Sequence, residues 1–165
     1  MEKIEKKDLI DALQAIPWFE QLSTSHFERL VGIAKLVTVG RGEDLFKEGD
    51  REDYLYIVLE GRVAIDIFAP SKGRIPIYTA EPLDVLGWSS VTPVVRQRTA
   101  SARAVFDSRL VAFDAQELRQ ACDEDHDLGY IIMRRLANVV AGRLLVTRLQ
   151  LLDLFAHPNG KDCDD

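Results

Sequence analysis

The sequence predicts a mixed α+β domain, with a block of short strands held between helices. Three observations carry that prediction. Strand-like segments, β-branched or alternating, crowd residues 36–114. Glycines at 40, 42, 49, 61, 73 and 87 punctuate them as turn residues. Helical periodicity occupies the two flanks, 7–34 and 115–156. Many short strands separated by turns point to a sandwich or a jelly roll.

In the lead-in, Leu9, Ile10, Leu13 and Ile16 recur at helical spacing, and Pro17 breaks that helix before the apolar anchors Trp18 and Phe19. Ser23 or Ser25 caps the next helix, and Ser25-His26-Phe27-Glu28 fits a capping box. Phe27, Leu30, Val31 and Ala34 form its buried face. Strands are expected near 36–39, 45–47, 54–60, 62–69, 75–80, 85–86, 100–104 and 108–114. Glu60-Gly61 reads as a tight hairpin turn, and 70–73 as a longer loop.

A short helix follows over 115–122, and Asp123, Glu124 and Asp125 supply a cap and negative charge for a longer one. No proline interrupts 127–155, about 43 Å of helix at the usual rise. Tyr130, Met133, Ala137, Val140, Leu144, Thr147, Leu151 and Leu154 recur in steps of three and four. That is a heptad seam with Thr147 as its only polar member. Ile131, Ile132, Leu136, Val139, Leu145, Val146, Leu149 and Leu152 widen the apolar surface. Such a helix needs two surfaces to cover it. The simplest pair is the chain's own sandwich and a second copy, so a homodimer through this helix is expected. Residues 157–165 read as a disordered tail, which assigns the domain to 1–156.

The net charge of −6 argues against a dedicated nucleic-acid binder. The charged N-terminus shows no signal peptide, and no apolar stretch is long enough to span a bilayer. Cys122 and Cys163 are too few for a disulfide framework, so two reduced thiols in a cytoplasm are expected. His26, His126 and His157 all lie outside the strand region and cannot join a metal cluster inside it. Neither a Gly-x-Ser-x-Gly elbow nor a Walker loop occurs. No catalytic or metal-binding residue is assigned, and an enzyme is not expected.

The richest chemistry lies between Gly87 and Ser101. A tight turn at Gly87 leads into Trp88, Ser89 and Ser90, and Arg98-Thr99-Ala100-Ser101 follows. Arg98 offers a planar fork of donors suited to phosphate or carboxylate. Backbone N–H groups of such a turn can add further anion ligands. The competing reading is an internal ion pair that holds the turn. Arg96 and Arg103 read as solvated strand-face charges.

Four pieces in order resemble the cyclic nucleotide-binding domain family, in particular bacterial catabolite-activator-like regulators. They are Ile16-Pro17-Trp18-Phe19 with Leu22; Leu45-Phe46-Lys47-Glu48-Gly49-Asp50 with the apolar strand ending at Glu60-Gly61; the Gly87–Ser101 cassette; and Arg109-Leu110-Val111-Ala112-Phe113-Asp114. The resemblance covers about 16 to 155. It implies an eight-stranded β jelly roll with short N-terminal helices and a long C-terminal dimerisation helix. It also implies that Arg98 meets a ligand phosphate, aided by the Thr99 hydroxyl and backbone near Ser89 and Ala100. Thr147 lies where bacterial members offer a hydroxyl to a purine. Gly87 and Trp88 complete the implied ligand set. The family's winged helix-turn-helix does not follow here, so no direct DNA binding is expected.

One position departs from the family. A Glu normally follows the turn glycine and accepts the ribose hydroxyl; here that residue is Trp88. Indole offers one donor and no acceptor. Losing a charged hydrogen bond costs about 1.5–3 kcal/mol, on the order of ten- to a hundredfold in affinity. Trp88 either packs as a core or lid residue, stacks on an aromatic ligand, or plugs the pocket. Two functions remain open. One is a dimeric sensor of a small anionic, nucleotide-like ligand with weak or no cyclic AMP binding. The other is a protein–protein interaction module with a plugged pocket.

Overall fold

Tyr54–Glu60 and Ser108–Asp114 carry nearly unbroken apolar runs, as expected of strands covered on both faces. The computed structural model describes residues 2–51, 53–92 and 97–156. It sets these two segments side by side as β3 and β8. Their neighbours are β1 (Ala34–Val39) and β6 (Val85–Leu86), giving an antiparallel sheet in the order β1-β8-β3-β6. The second sheet, order β2-β7-β4-β5, contains β2 (Asp44–Phe46), β4 (Val63–Ala69), β5 (Gly73–Ala80) and β7 (Ser101–Ala104). The expected eight-stranded jelly roll is present, and each strand falls within two residues of its predicted bounds.

Alternation along β3 and β8 sorts their side chains between two cores. Tyr56, Val58, Leu110 and Ala112 face the second sheet. Leu55, Ile57, Val111 and Phe113 face a layer of helices. That layer comprises α1 (Glu2–Gln14), a 3-10 turn at Pro17–Phe19, α2 (Thr24–Gly32), α3 (Ala115–Glu124) and α4 (His126–Ala156). Leu13, Ile16, Phe19 and Leu30 fill it from the N-terminal side, and Leu118, Leu128, Ile132 and Leu136 from the C-terminal side. Truncating one such large buried side chain to Ala costs about 2–5 kcal/mol. Across the second sheet Arg74 pairs with Asp44 at 3.0 Å, and Arg103 lies 3.7 Å from the buried Asp66.

Four sequence expectations need correction. β3 and β4 do not form a hairpin: β3 pairs with β8 and β6, while β4 pairs with β5 and β7. Gly61 therefore carries the chain from one sheet to the other. Both strands have a second apolar partner to cover, and the sandwich satisfies both by separating them. The capping box expected at Ser25-His26-Phe27-Glu28 does not start α2: of the two cap candidates it is Ser23 that caps it, its hydroxyl accepting from the His26 N–H at 3.2 Å. Ala34 belongs to β1, where it pairs with Phe113. The first helix starts earlier than residue 7, at Glu2. The expected tail at 157–165, with His157 and Cys163, and the strand-face charge of Arg96 lie outside the described residues.

The long helix starts where acidic residues fix its first turn. Asp125 Oδ1 accepts from the N–H groups of Asp127 and Leu128, both at 3.1 Å. Those bonds, led by Leu128, and the adjacent His26 hold the Asp125 carboxyl below its ordinary range. Gly129 lets α4 cross α3 closely; a Cβ there would lie 2.7 Å from the Cys122 carbonyl oxygen. From this start α4 lays Leu128, Ile132 and Leu136 into the core, with Val139 partly buried. Every member of the predicted seam, from Tyr130 to Leu154, is exposed.

Candidate ligand cavity

Arg98 is held by structure on three sides. Its N–H donates to the Asp50 carbonyl at 2.8 Å, and its own carbonyl accepts from the Gly49 N–H at 2.8 Å. The loop making those bonds is fixed in turn by Asp50 Oδ2, which accepts from the Lys47 N–H at 2.8 Å. The guanidinium lies over the Phe46 ring at 4.3 Å and near the Tyr56 ring at 5.9 Å. Phe46 and Tyr56 are themselves stacked at 6.0 Å. Burial raises the Tyr56 phenol above its ordinary value, against the opposing pull of Arg98. Nη2 of Arg98 donates to the Tyr54 carbonyl at 2.6 Å. The side chain is 4% exposed, yet it lines a cavity of about 440 Å³.

Gly87 makes this arrangement possible. It adopts a left-handed conformation at φ 68°, which favours glycine. A Cβ at this position would collide with Nη1 of Arg98 and lie 2.8 Å from the Tyr54 carbonyl oxygen. After Gly87 the chain makes a 3-10 turn, Trp88–Val91, in which Ser90 N–H reaches back to the Gly87 carbonyl at 3.0 Å. Arg119 of α3 donates to the Ser90 carbonyl, which ties this turn to the helical layer.

All seven residues singled out in the sequence border this one cavity: Gly87, Trp88, Ser89, Arg98, Thr99, Ala100 and Thr147. Trp88 is half-buried and also packs against the helical core. It forms part of the wall and leaves the cavity volume beside Arg98. Thr147 reaches the rim from α4, and its hydroxyl donates to the Arg143 carbonyl at 2.9 Å.

Several wall residues were missed in the sequence. Phe46 and Ile65 come from the second sheet, and Ile77 and Tyr78 from β5. Arg143 and Gln150 come from α4. Arg143 places its guanidinium 3.1 Å from the Tyr78 ring centre, and burial lowers its pKa to about 10. Gln150 donates to the Ile77 carbonyl at 3.2 Å. The available signal was spacing: Arg143 and Gln150 lie four residues before and three after Thr147, on one helix face. The cavity combines a largely apolar wall with guanidinium groups and hydroxyls, which suits a small organic anion. Among the described residues, no cluster of His, Cys, Asp or Glu could hold a metal ion. Among the same residues, no helix is long and apolar enough to cross a membrane.

Comparison with known proteins agrees with this architecture. The model of the family described as "Cyclic nucleotide-binding domain" matches residues 36–125. A CRP-like cAMP-activated global transcriptional regulator of Mycobacterium tuberculosis is 30% identical over 137 residues, covering 83% of this chain and 59% of the relative. A putative potassium channel protein of Rhodopseudomonas palustris is 27% identical over 146 residues, covering 86% of this chain and 34% of the relative. The chain thus spans only part of the length of these curated relatives. The crystal structure of a putative cyclic nucleotide-binding protein from Geobacter metallireducens superposes with a TM-score of 0.71 at 25% identity, covering 81% of this chain and 96% of that one. The chain belongs to the cyclic nucleotide-binding domain family.

Proposed function

We propose that this domain is a non-catalytic sensor that binds a small anionic, nucleotide-like ligand in the Arg98 cavity and reports it through α4. The observation that carries this reading is a buried arginine, clamped by backbone and aromatic rings, on the wall of a cavity of about 440 Å³. A guanidinium fork at a cavity wall offers charge-assisted hydrogen bonds to an anion that enters there. The Thr99 hydroxyl and backbone near Ser89 and Ala100 complete the anion's surroundings. Thr147 already donates to its own helix, so it is left as an acceptor for a donor on the ligand's far end.

Trp88 stands where the family resemblance calls for a Glu. It supplies no acceptor for a ribose hydroxyl, so cyclic AMP binds weakly or not at all. The cavity persists with the indole in its wall, which favours a ligand site over a plugged interaction module. The exposed seam of α4 supports a homodimer, because a monomer rarely leaves so large an apolar patch uncovered. Ligand acts by favouring one position of α4 over another. The acidic balance favours action through protein partners rather than direct DNA contact. The same reading places the domain in the cytoplasm, with Cys122 as a reduced thiol, its pKa raised by burial to about 11.

Calorimetry at fixed salt tests the site. Wild-type protein should bind cyclic AMP weakly or not at all, and Trp88→Glu should improve binding on the order of ten- to a hundredfold. Arg98→Ala should abolish anion binding in both backgrounds. Submicromolar cyclic AMP binding by the wild type would show that the ribose acceptor is dispensable. Unfolding of Trp88→Glu would mark the indole as a core residue and favour the interaction module.

A further inference from the structure

Two arginines line the ligand cavity, and they come from different parts of the fold. Arg98 enters beside Gly87 from the cassette. Arg143 enters from α4, over the Tyr78 ring, with Nη2 at 3.4 Å from the Val85 carbonyl. Their backbone neighbours, Val85 and Gly87, are two residues apart, at most about 7 Å of extended chain. Among the described residues, no carboxylate lines this cavity. None of them ion-pairs with Arg143 either. Asp84, which shares an outer groove with Arg143, instead accepts from the Tyr78 hydroxyl and, at 2.9 Å, from the Glu81 N–H. Arg143 therefore meets the cavity as a half-buried cation, and the Asp84 of its outer groove is engaged elsewhere. It stays charged at neutral pH even with its pKa lowered to about 10. The remaining wall is mostly apolar, with Phe46, Ile65, Ile77 and Leu86 around the arginines.

We infer that the cavity selects a dianion: a small organic ligand with two anionic groups on an apolar or aromatic body, one group met by Arg98 and the other by Arg143. This inference rests on the reading of the cavity as an anion site at Arg98. It adds a second charge requirement, and it makes Arg143 the residue through which the ligand draws on α4. A ligand with one charge leaves the α4 guanidinium without an anionic partner. A ligand with two bridges the cassette and the helix. Because Arg143 sits midway along α4, four residues before Thr147, the second anion acts directly on the helix that carries the apolar seam.

A matched pair of probes tests this by calorimetry: benzoate, with one carboxylate, and terephthalate, with two on the same ring. Both are fully ionised at neutral pH. Wild-type protein should bind terephthalate at least about tenfold more tightly than benzoate. Arg143→Gln should reduce terephthalate to the level of benzoate while changing benzoate less than about threefold. Arg143→Lys, which keeps the charge without the fork, should keep part of the preference, and helicity by circular dichroism should match wild type in both variants. Equal affinity for the two probes in the wild type, or a preference that survives Arg143→Gln, overturns the dianion inference while leaving the Arg98 site standing. If neither probe binds, or if Arg98→Gln leaves both affinities unchanged, the dianion inference and the anion-site reading both fall.

Discussion

The two halves of α4 are alike in sequence and opposite in environment. Both are rich in aliphatic residues, Leu, Ile and Val in the first and chiefly Leu in the second. The first half buries Leu128, Ile132 and Leu136 against α3 and the β1-β8-β3-β6 sheet. The second half leaves Leu144, Leu145, Leu149, Leu151, Leu152, Leu154 and Phe155 between 50% and 73% exposed. It reaches the strands through polar side chains, with hydrogen bonds from Arg143 to the Val85 carbonyl and from Gln150 to the Ile77 carbonyl. Both bonds land on the strands that wall the cavity. Apolar composition therefore does not decide burial along this helix. The first half is an anchor, and the second is the part that a ligand or a second copy can hold in place.

The largest expected effect breaks the anchor. Leu136→Ala should cost about 2–5 kcal/mol in urea unfolding, whereas Leu152→Ala at low protein concentration should stay within about 0.5 kcal/mol. Equal losses at the two positions would remove the contrast between the halves. Next comes the wall on which the second half rests. Gly87→Ala forces a left-handed alanine against Arg98 and the Tyr54 carbonyl, and should cost about 1–3 kcal/mol together with anion affinity. Unchanged unfolding and unchanged anion affinity would show that the turn can relax without moving Arg98.

The seam is tested by dilution. If two copies meet there, tenfold dilution should lower the apparent stability of the wild type by about 1.4 kcal/mol. Val140→Glu with Leu144→Glu should make unfolding independent of concentration, or yield insoluble protein. A monomeric wild type in light scattering would end the dimer reading. The smallest effect concerns the start of the helix. The folded Asp125 pKa lies below the ordinary value, so its contribution is fully present above that value and is lost as pH falls through the folded pKa. Melting temperature should therefore drop below about pH 4, and less so in Asp125→Ala. An identical acid profile in that variant would deny the cap a role.

Much of the fold was legible because its signals are local. Glycines at turns and β-branched runs between them placed all eight strands, since backbone sterics act over a few residues. The cassette was legible for the same reason, since Gly87 to Ala100 is one short stretch, whereas the frame of Arg98 at Gly49, Asp50 and Tyr54 is distant in sequence and was not. The alternatives left open for Ser23 and Ser25 were decided by which hydroxyl reaches the His26 N–H. Arg143 was not singled out because its spacing from Thr147 puts both on one helix face without showing what that face meets. Tyr78, which lies across from Arg143, is 65 residues away in the chain.

By itself the sequence determined where the strands and turns fall, which short stretch supplies the proposed anion site, and that α4 has more apolar surface than one neighbour can cover. These follow from side-chain period, turn geometry and the chemistry of single residues. Only the tertiary structure decided that β3 leaves β4 for β8, that Trp88 joins a wall around open volume, and that the seam of α4 faces outward. It also decided that Arg143 enters the same cavity as Arg98. Each of these is set by packing between segments far apart in sequence, where competing apolar faces are equivalent until the whole core closes.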